Sequence, residues 1–122
     1  MPEQILDSDD LLRRVILDSL DPLYIRPDQT VTSVAFLPRK IAGVLESGLS
    51  VDISRLTTYA QSIRDVRKYR LYSLKAGYVR HINLDCVQDP LVDNEAHALI
   101  IGELKKAKAK QLSLGATRVP YP

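Results

Sequence analysis

The segment from residue 49 to residue 66 reads LSVDISRLTTYAQSIRDV and holds the two patterns that decide the fold. Apolar residues at positions 49, 51 and 53 alternate with polar residues at 50, 52 and 54, which is the period of a half-buried strand. The next apolar residues are spaced 3, 4 and 3 positions apart, as on one stripe of a helix: Leu56, Tyr59, Ile63 and Val66. Thr57 or Thr58 supplies the cap of this helix. A strand followed by a helix that packs on its sheet is therefore predicted.

Further strands and helices are predicted along the rest of the chain. Short apolar or β-branched runs predict strands at 30–36, 70–74, 84–88 and 96–101. Helical spacing predicts helices or helical turns at 39–47, 76–82 and 103–114, and Gly115 marks the stop of the last one. Residues 11–17 fit a helix or a strand, and we favour the strand because Val15 and Ile16 are β-branched.

These elements predict one α+β domain. In some places a strand is followed by a helix, and in others two strands are separated by a short segment, as in a hairpin. This mixture is typical of a mixed, mostly antiparallel sheet with helices mainly on one face. At 122 residues the chain has room for one such domain, which we place at residues 1–119. Pro120 and Pro122 mark residues 120–122 as a tail.

Composition places the chain among ordinary globular proteins. It has 45% hydrophobic and 26% charged residues, which excludes disordered and fibrous classes. No apolar run approaches the ~20 residues that cross a bilayer, and the start of the chain lacks the basic and apolar regions of a secretory signal. A single cysteine, Cys86, cannot form an internal disulfide. We therefore expect a cytoplasmic protein with no membrane contact.

Charge is unevenly distributed, although the formal net charge is only +2. Residues 1–21 carry six acidic side chains against two arginines, whereas residues 103–122 carry four lysines and Arg118 against Glu103. Opposite charge at the two ends can steer a protein partner. The candidate partner-binding residues are Lys105, Lys106, Lys108 and Lys110. Nucleic acid is a less favoured partner, because few aromatic residues are interleaved with these lysines.

The stretch from Asp89 to His97 combines carboxylates, an amide and an imidazole where a loop meets a strand. Asn94 and His97 are therefore candidate catalytic residues. The alternative, which we favour, is that Asp93 and Asn94 cap a turn and that His97 is a hydrogen-bonded histidine near the core.

Arginine and tyrosine side chains elsewhere are candidate ligand-binding groups, because a guanidinium binds phosphate bidentately and a phenol ring can stack on a base. These candidates are Arg14, Tyr78 and Arg80. The alternative is that the arginines are solvated or paired with acids such as Asp10 and Asp85.

Common catalytic and cofactor motifs are absent from the sequence. It has no Gly-rich phosphate loop, no nucleophile elbow and no cysteine and histidine spacing typical of zinc. With two histidines and one cysteine, a zinc site would have to recruit carboxylates. We therefore expect neither a metal ion nor a cofactor.

Three short segments form a recognisable pattern: residues 32–36 (TSVAF), residues 49–52 (LSVD) and residues 89–98 (DPLVDNEAHA). Together they resemble a pattern found in small uncharacterised bacterial proteins, with Glu95 where that pattern has proline. The resemblance implies a bacterial origin and carries no activity with it.

Two functions are compatible with these observations. The missing catalytic motifs and the opposite terminal charges favour a small non-catalytic accessory or protein-interaction component of a bacterial multi-protein system. The alternative is an enzyme or ligand-binding domain that acts on a nucleotide or phosphodiester, with Asn94 and His97 as polar site groups and Arg80 as an anion clamp.

Overall fold

The computed structural model describes residues 5–17, 24–38, 40–41, 43–45 and 47–120. The described strands are β1 (Asp10–Ile16), β2 (Lys40–Ile41), β3 (Val44–Leu45), β4 (Leu49–Ile53), β5 (Tyr69–Lys75), β6 (Asp85–Gln88), β7 (His97–Ile101) and β8 (Thr117–Val119). The described α-helices are α1 (Tyr59–Ile63), α2 (Ala76–His81) and α3 (Lys106–Gly115). Two 3₁₀ turns lie at Ser33–Phe36 and Ser54–Leu56.

Within these residues, six strands form one sheet in the order β6-β7-β4-β1-β5-β8, and every neighbouring pair is antiparallel. β1 lies inside the sheet, where Leu12 is opposite Asp52 of β4 and Ser73 of β5. β2 and β3 form a separate small hairpin. The predicted single α+β fold with a mostly antiparallel sheet is confirmed.

The main hydrophobic core lies on one face of the sheet. Side chains from the inner strands, including Leu11, Val51 and Tyr72, are buried there beneath α2, α3 and the Ser33–Phe36 turn. On the opposite face, the described residues form a smaller buried cluster of Leu12, Ile63 and Leu71 under α1. Helices therefore lie mainly on one face, as predicted, and the second face is thinly covered.

The predicted strand at 11–17 is confirmed, and so are the strands near 49–53, 70–74, 84–88 and 96–101. The strand predicted at 30–36 is wrong, because those residues pair with no strand among the described residues. Val31 instead bridges to Ile25, which closes a tight loop, and the chain then turns as a 3₁₀ helix that buries Phe36.

The helix predicted at 39–47 is also wrong in the part of it that the structure describes. Gly43 has φ +81°, a conformation that glycine adopts without strain, and it turns the chain from β2 into β3. The strand β8 was not predicted, because the three residues between α3 and Pro120 carry little periodic signal. Of the predicted tail, Pro120 is described and residues 121–122 lie outside the described residues.

Helix α3 buries a different face from the one its sequence suggests. Apolar periodicity predicts burial of Leu104, Ala107 and Leu114. Leu104, just before the helix, does pack against the core, but within the helix Ala109 and Leu112 are buried instead, and Ala107 and Leu114 are exposed. The rotation of α3 follows from its neighbours: α3 packs on the Ser33–Phe36 turn, and the Tyr78 ring lies against Gly115. Gly115 is the last residue of the helix.

The α3 lysines do not share one environment. Lys105, Lys106 and Lys110 are exposed, but Lys108 is half-buried and its Nζ donates to the carbonyl of Ile82 at the end of α2. A cation at a helix C-terminus also stabilises the helix dipole. Lys108 therefore joins α3 to α2 rather than serving as a free surface charge.

Replacement of Lys108 by Met keeps the apolar stem and removes the ammonium group. We expect this variant to lose about 1 kcal/mol of unfolding free energy, because a charge-assisted hydrogen bond is lost. The variant Lys105→Gln, Lys106→Gln, Lys110→Gln is the control and should unfold at the denaturant concentration of the parent chain. Urea titrations followed by circular dichroism measure both, and equal midpoints for Lys108→Met and the parent would contradict the assignment.

A buried carboxylate anchors the start of the sheet. Asp9 is 7% exposed, its two oxygens accept from Arg55 at 2.8 and 3.2 Å, and its Oδ2 also accepts from the Leu6 amide at 2.8 Å. These contacts, led by the Arg55 hydrogen bond, lower the pKa of Asp9 below its usual value of 3.8 despite burial. The ion pair joins the segment before β1 to the turn after β4.

The Asp9 carboxylate should make stability depend on pH. Because its pKa is lower in the folded than in the unfolded chain, its contribution is complete above pH ~4 and is lost as pH falls below that value. Asp9→Asn should therefore cost about 2 kcal/mol at neutral pH. The difference between the two proteins should shrink as urea titrations move from pH 7 toward pH 3. A difference that stays constant over that range would show that charge on Asp9 is not responsible.

Candidate functional site

A recess of about 260 Å³ opens on the thinly covered face of the sheet, beside α1. Its polar lining comes from β1, β4, β7, the end of α1 and the loop before β7. The polar residues of this lining include Arg14, Ser50, Asp52, Arg64, Asn94 and His97, and Tyr69 of β5 also lines the space. We call this space the polar recess.

Strand register explains why these residues meet. Asp52 is opposite Leu12 of β1 on one side and His97 of β7 on the other, so the three side chains share one face. Arg14 follows Leu12 by two residues and therefore also faces the recess. Side chains from three adjacent strands converge here because the strands are paired in this register.

Arg13 and Arg14 are neighbours in sequence but point to opposite faces of the sheet. The buried Arg13 donates from Nε to the Ala35 carbonyl at 3.1 Å and from a terminal nitrogen to the Ser50 carbonyl at 2.9 Å. Its side chain therefore fastens the Ser33–Phe36 turn to the sheet. Arg14 instead donates to the Ser62 carbonyl at 3.1 Å and lies over the Tyr69 ring, 5.1 Å from its centroid.

Asp52 holds the walls of the recess together. Its Oδ2 accepts from the Ser62 hydroxyl of α1 at 2.7 Å, and its Oδ1 accepts from the Asn94 amide at 2.8 Å. Asn94 in turn accepts from the Ala96 amide at 3.1 Å, which closes the loop before β7. One buried carboxylate thus fixes both the helix and the loop on the sheet, and Asn94 caps a turn as the sequence suggested.

His97 lines the recess, and its two ring nitrogens have different surroundings. Its Nδ1 is 2.9 Å from the Asp89 carbonyl oxygen and 3.2 Å from an Asp89 carboxylate oxygen. Both neighbours are acceptors, so Nδ1 carries the proton. Nε2 makes no hydrogen bond to any residue that the structure describes. In the neutral ring Nε2 therefore carries a lone pair that can accept a hydrogen bond, and the contacts of Nδ1 fix the orientation of the ring. The His97 side chain is 14% exposed.

The helix predicted over Leu56–Val66 is shorter than expected. It begins after Thr58, whose side chain accepts from the Gln61 amide at 3.2 Å, and it ends at Ile63. Arg64 then adopts φ 64° and ψ −53°, and the Asp65 amide donates to the Ile63 carbonyl at 2.7 Å. This is a γ-turn of the rare strained type, which costs a non-glycine residue about 1–3 kcal/mol. Val66 is consequently turned outward and is 45% exposed.

A second cleft of about 410 Å³ adjoins the polar recess. Arg64 and Asn94 line both spaces. The rest of its wall consists of Leu56 and of the hydroxyl, amide and carboxylate groups of Thr57, Gln61, Asp93 and Glu95. We call it the outer cleft.

The structure brings together some of the predicted site residues and separates others. Arg14, Asn94 and His97 all line the polar recess. Tyr78 lies elsewhere, where its hydroxyl donates to the Gln111 carbonyl at 2.6 Å. Arg80 donates to Asp7 at 2.6 Å, to Asp85 at 3.4 Å and to the Ile5 carbonyl at 2.8 Å. The hydrogen bond to the Asp7 carboxylate raises the pKa of Arg80 above its usual value.

Sequence reasoning missed Asp52, Ser62, Arg64 and Tyr69 as site residues. Asp52 had a usable signal, because it is a carboxylate on the polar side of a strand that alternates clearly. Ser62 and Tyr69 had none, because their roles depend on contacts with Asp52 and Arg14.

Among the described residues, no group of three or more histidine, cysteine, aspartate or glutamate side chains is placed to hold a metal ion. The described helices include none that is both long and apolar enough to cross a membrane. Comparisons with protein-family models, with curated proteins and with solved structures find no match.

Proposed function

We propose that the chain binds a small phosphate-bearing ligand, of the nucleotide or phosphodiester class, in the polar recess. The observation that carries this proposal is that one concave site holds both the Arg14 guanidinium, a donor to phosphate oxygens, and His97 Nε2, an acceptor for a hydroxyl group of the same ligand. Concave sites with a few fixed polar groups are where small ligands usually bind.

Charge in the recess suits an anion. Arg14 and Arg64 contribute two positive charges, whereas Asp52 contributes one carboxylate that already accepts two hydrogen bonds. A guanidinium offers donors in a planar fork that matches phosphate oxygens. The Tyr69 ring beneath Arg14 and the Ser62 carbonyl hold that fork in place, so less side-chain entropy is lost on binding.

Hydrolysis of a phosphodiester is a second candidate function, favoured by the direction in which His97 is held. A water oxygen would attack phosphorus while His97 Nε2 accepts a proton from that water. The phosphorus–oxygen bond to the leaving group would then break, and the proton would pass to the leaving oxygen. Asp89 would serve as the positioning residue that keeps Nδ1 protonated. Release of nitrophenolate from bis(para-nitrophenyl) phosphate by the parent chain, and none by His97→Asn, would support it.

An accessory role in a multi-protein system stays a prediction. It was drawn from opposite charge at the two ends, but three of the N-terminal acids form ion pairs within the chain. Asp7 pairs with Arg80, Asp9 with Arg55, and Asp10 with Lys75. Internal pairing reduces the field that these acids present to a partner, so we rank ligand binding first.

The chain's two histidines allow a matched test of the binding proposal. In His97→Asn the amide can replace Nδ1 as a donor to Asp89, but nothing replaces Nε2 as the acceptor for a hydroxyl group of the ligand. We expect affinity for adenosine monophosphate or cyclic adenosine monophosphate to fall at least about tenfold, which is ~1.4 kcal/mol, with little change in Tm. Isothermal titration calorimetry measures the affinity and differential scanning calorimetry the Tm.

His81→Asn is the control, because His81 is exposed at the end of α2. This variant should bind like the parent chain. Equal losses in both variants would show that a general charge effect is responsible. Undiminished binding by His97→Asn, or no binding of either nucleotide by the parent chain, would overturn the proposal.

A further inference from the structure

Arg64 has a strained backbone conformation, and it lacks the contacts that hold another described residue with positive φ, Gln29, in place. Non-glycine residues with positive φ in the described chain are Gln29, Arg64 and Asn83. Asparagine adopts positive φ more readily than most residues. Gln29 is held by its neighbours, since its carbonyl accepts from the Tyr72 hydroxyl at 2.7 Å and its Oε1 accepts from Arg118 at 2.8 Å.

The Arg64 side chain has no comparable support. It is exposed, and it makes no hydrogen bond or ion pair to any residue that the structure describes. The γ-turn places it on the boundary between the polar recess and the outer cleft. Strained residues persist where the surroundings impose them, and they concentrate at ligand-binding sites. The strained turn thus places the Arg64 guanidinium at this boundary, although the guanidinium makes no hydrogen bond or ion pair that stabilises the described fold.

We propose that Arg64 is a ligand-binding residue and that the bound ligand spans both spaces, with its phosphate between Arg14 and Arg64. This inference rests on the proposed function. The recess alone, at about 260 Å³, is smaller than the ~300 Å³ at the lower end of ligand pockets. Joined to the outer cleft of about 410 Å³, it has room for a molecule of nucleotide size.

The wall of the outer cleft indicates what the rest of the ligand is. Thr57 and Gln61 offer hydroxyl and amide groups that suit sugar hydroxyls or the polar edge of a base. Asp93 and Glu95 accept hydrogen bonds and repel further anionic groups. The ligand class is therefore a nucleoside monophosphate, with one phosphate in the recess and an uncharged polar part in the cleft, rather than a polyphosphate.

Two substitutions at Arg64 separate its binding role from its backbone strain. Arg64→Ala removes the guanidinium and keeps a Cβ, so the strain stays and the Tm should match that of the parent. Arg64→Gly removes the guanidinium and also relieves the backbone strain, because glycine adopts positive φ freely. The Tm of this variant should therefore rise. Both variants should bind adenosine monophosphate at least about tenfold more weakly than the parent. Calorimetric titration and thermal unfolding of the full chain provide the two readouts.

Lys68→Ala is the control for general attraction of anions, because Lys68 is an exposed cation on the same loop that lines neither space. It should bind like the parent chain. The parent should also bind adenosine monophosphate at least about tenfold more tightly than inorganic phosphate or adenosine triphosphate.

Failure of this inference can be told from failure of the proposed function. If His97→Asn loses affinity but both Arg64 variants bind normally, the recess binds ligand and Arg64 takes no part in it. Equal affinity for inorganic phosphate and adenosine monophosphate would overturn the two-part ligand. If the parent binds none of the three probes, both proposals fall. A Tm of Arg64→Gly at or below that of the parent would contradict the strain argument.

Discussion

The alternation of side chains along β1, set by its pairing between β4 and β5, is the constraint on which the rest of the structure depends. Because successive residues of a strand face opposite sides, Arg13 is buried on the core face and Arg14 is directed to the recess. A shift of one residue in this register would exchange the two faces. The core side chains Leu11 and Val15 would then lose their burial, so packing of the core also fixes the direction of Arg14.

The second face of the sheet is organised by hydrogen bonds more than by apolar burial. Helix α1 has only five residues, too few to be stable by itself, and its apolar contacts are confined to a small cluster. Asp52 compensates, since it binds Ser62 of α1 and Asn94 of the adjoining loop. A carboxylate buried on a sheet needs such partners. The same bonds leave a concave polar space rather than a second core.

The sequence predicts this fold well where alternate side chains of a strand are buried in the core, as at Leu49–Ile53 and His97–Ile101, because such strands contain runs of apolar residues. It fails at 30–36, where a strand-like composition finds no partner strand in the described part of the chain and Ser33–Phe36 turns instead as a 3₁₀ helix. It also fails at α3, whose rotation is set by Tyr78 and that turn. Asn94 and His97 were recognisable from residue type beside a strand. The roles of Asp52, Ser62 and Arg64 arise from long-range contacts and from a γ-turn that no local pattern encodes.

NMR of the two imidazoles tests most directly whether His97 Nε2 is held ready for a ligand. Long-range proton–nitrogen spectra of nitrogen-15-labelled protein report the protonation of each ring nitrogen. Without ligand, Nδ1 of His97 should be protonated, because both of its neighbours are acceptors. Addition of adenosine monophosphate should then shift the Nε2 resonance of His97 and leave that of His81 unchanged. An unprotonated Nδ1, or resonances of His97 and His81 that respond alike, would contradict the assignment.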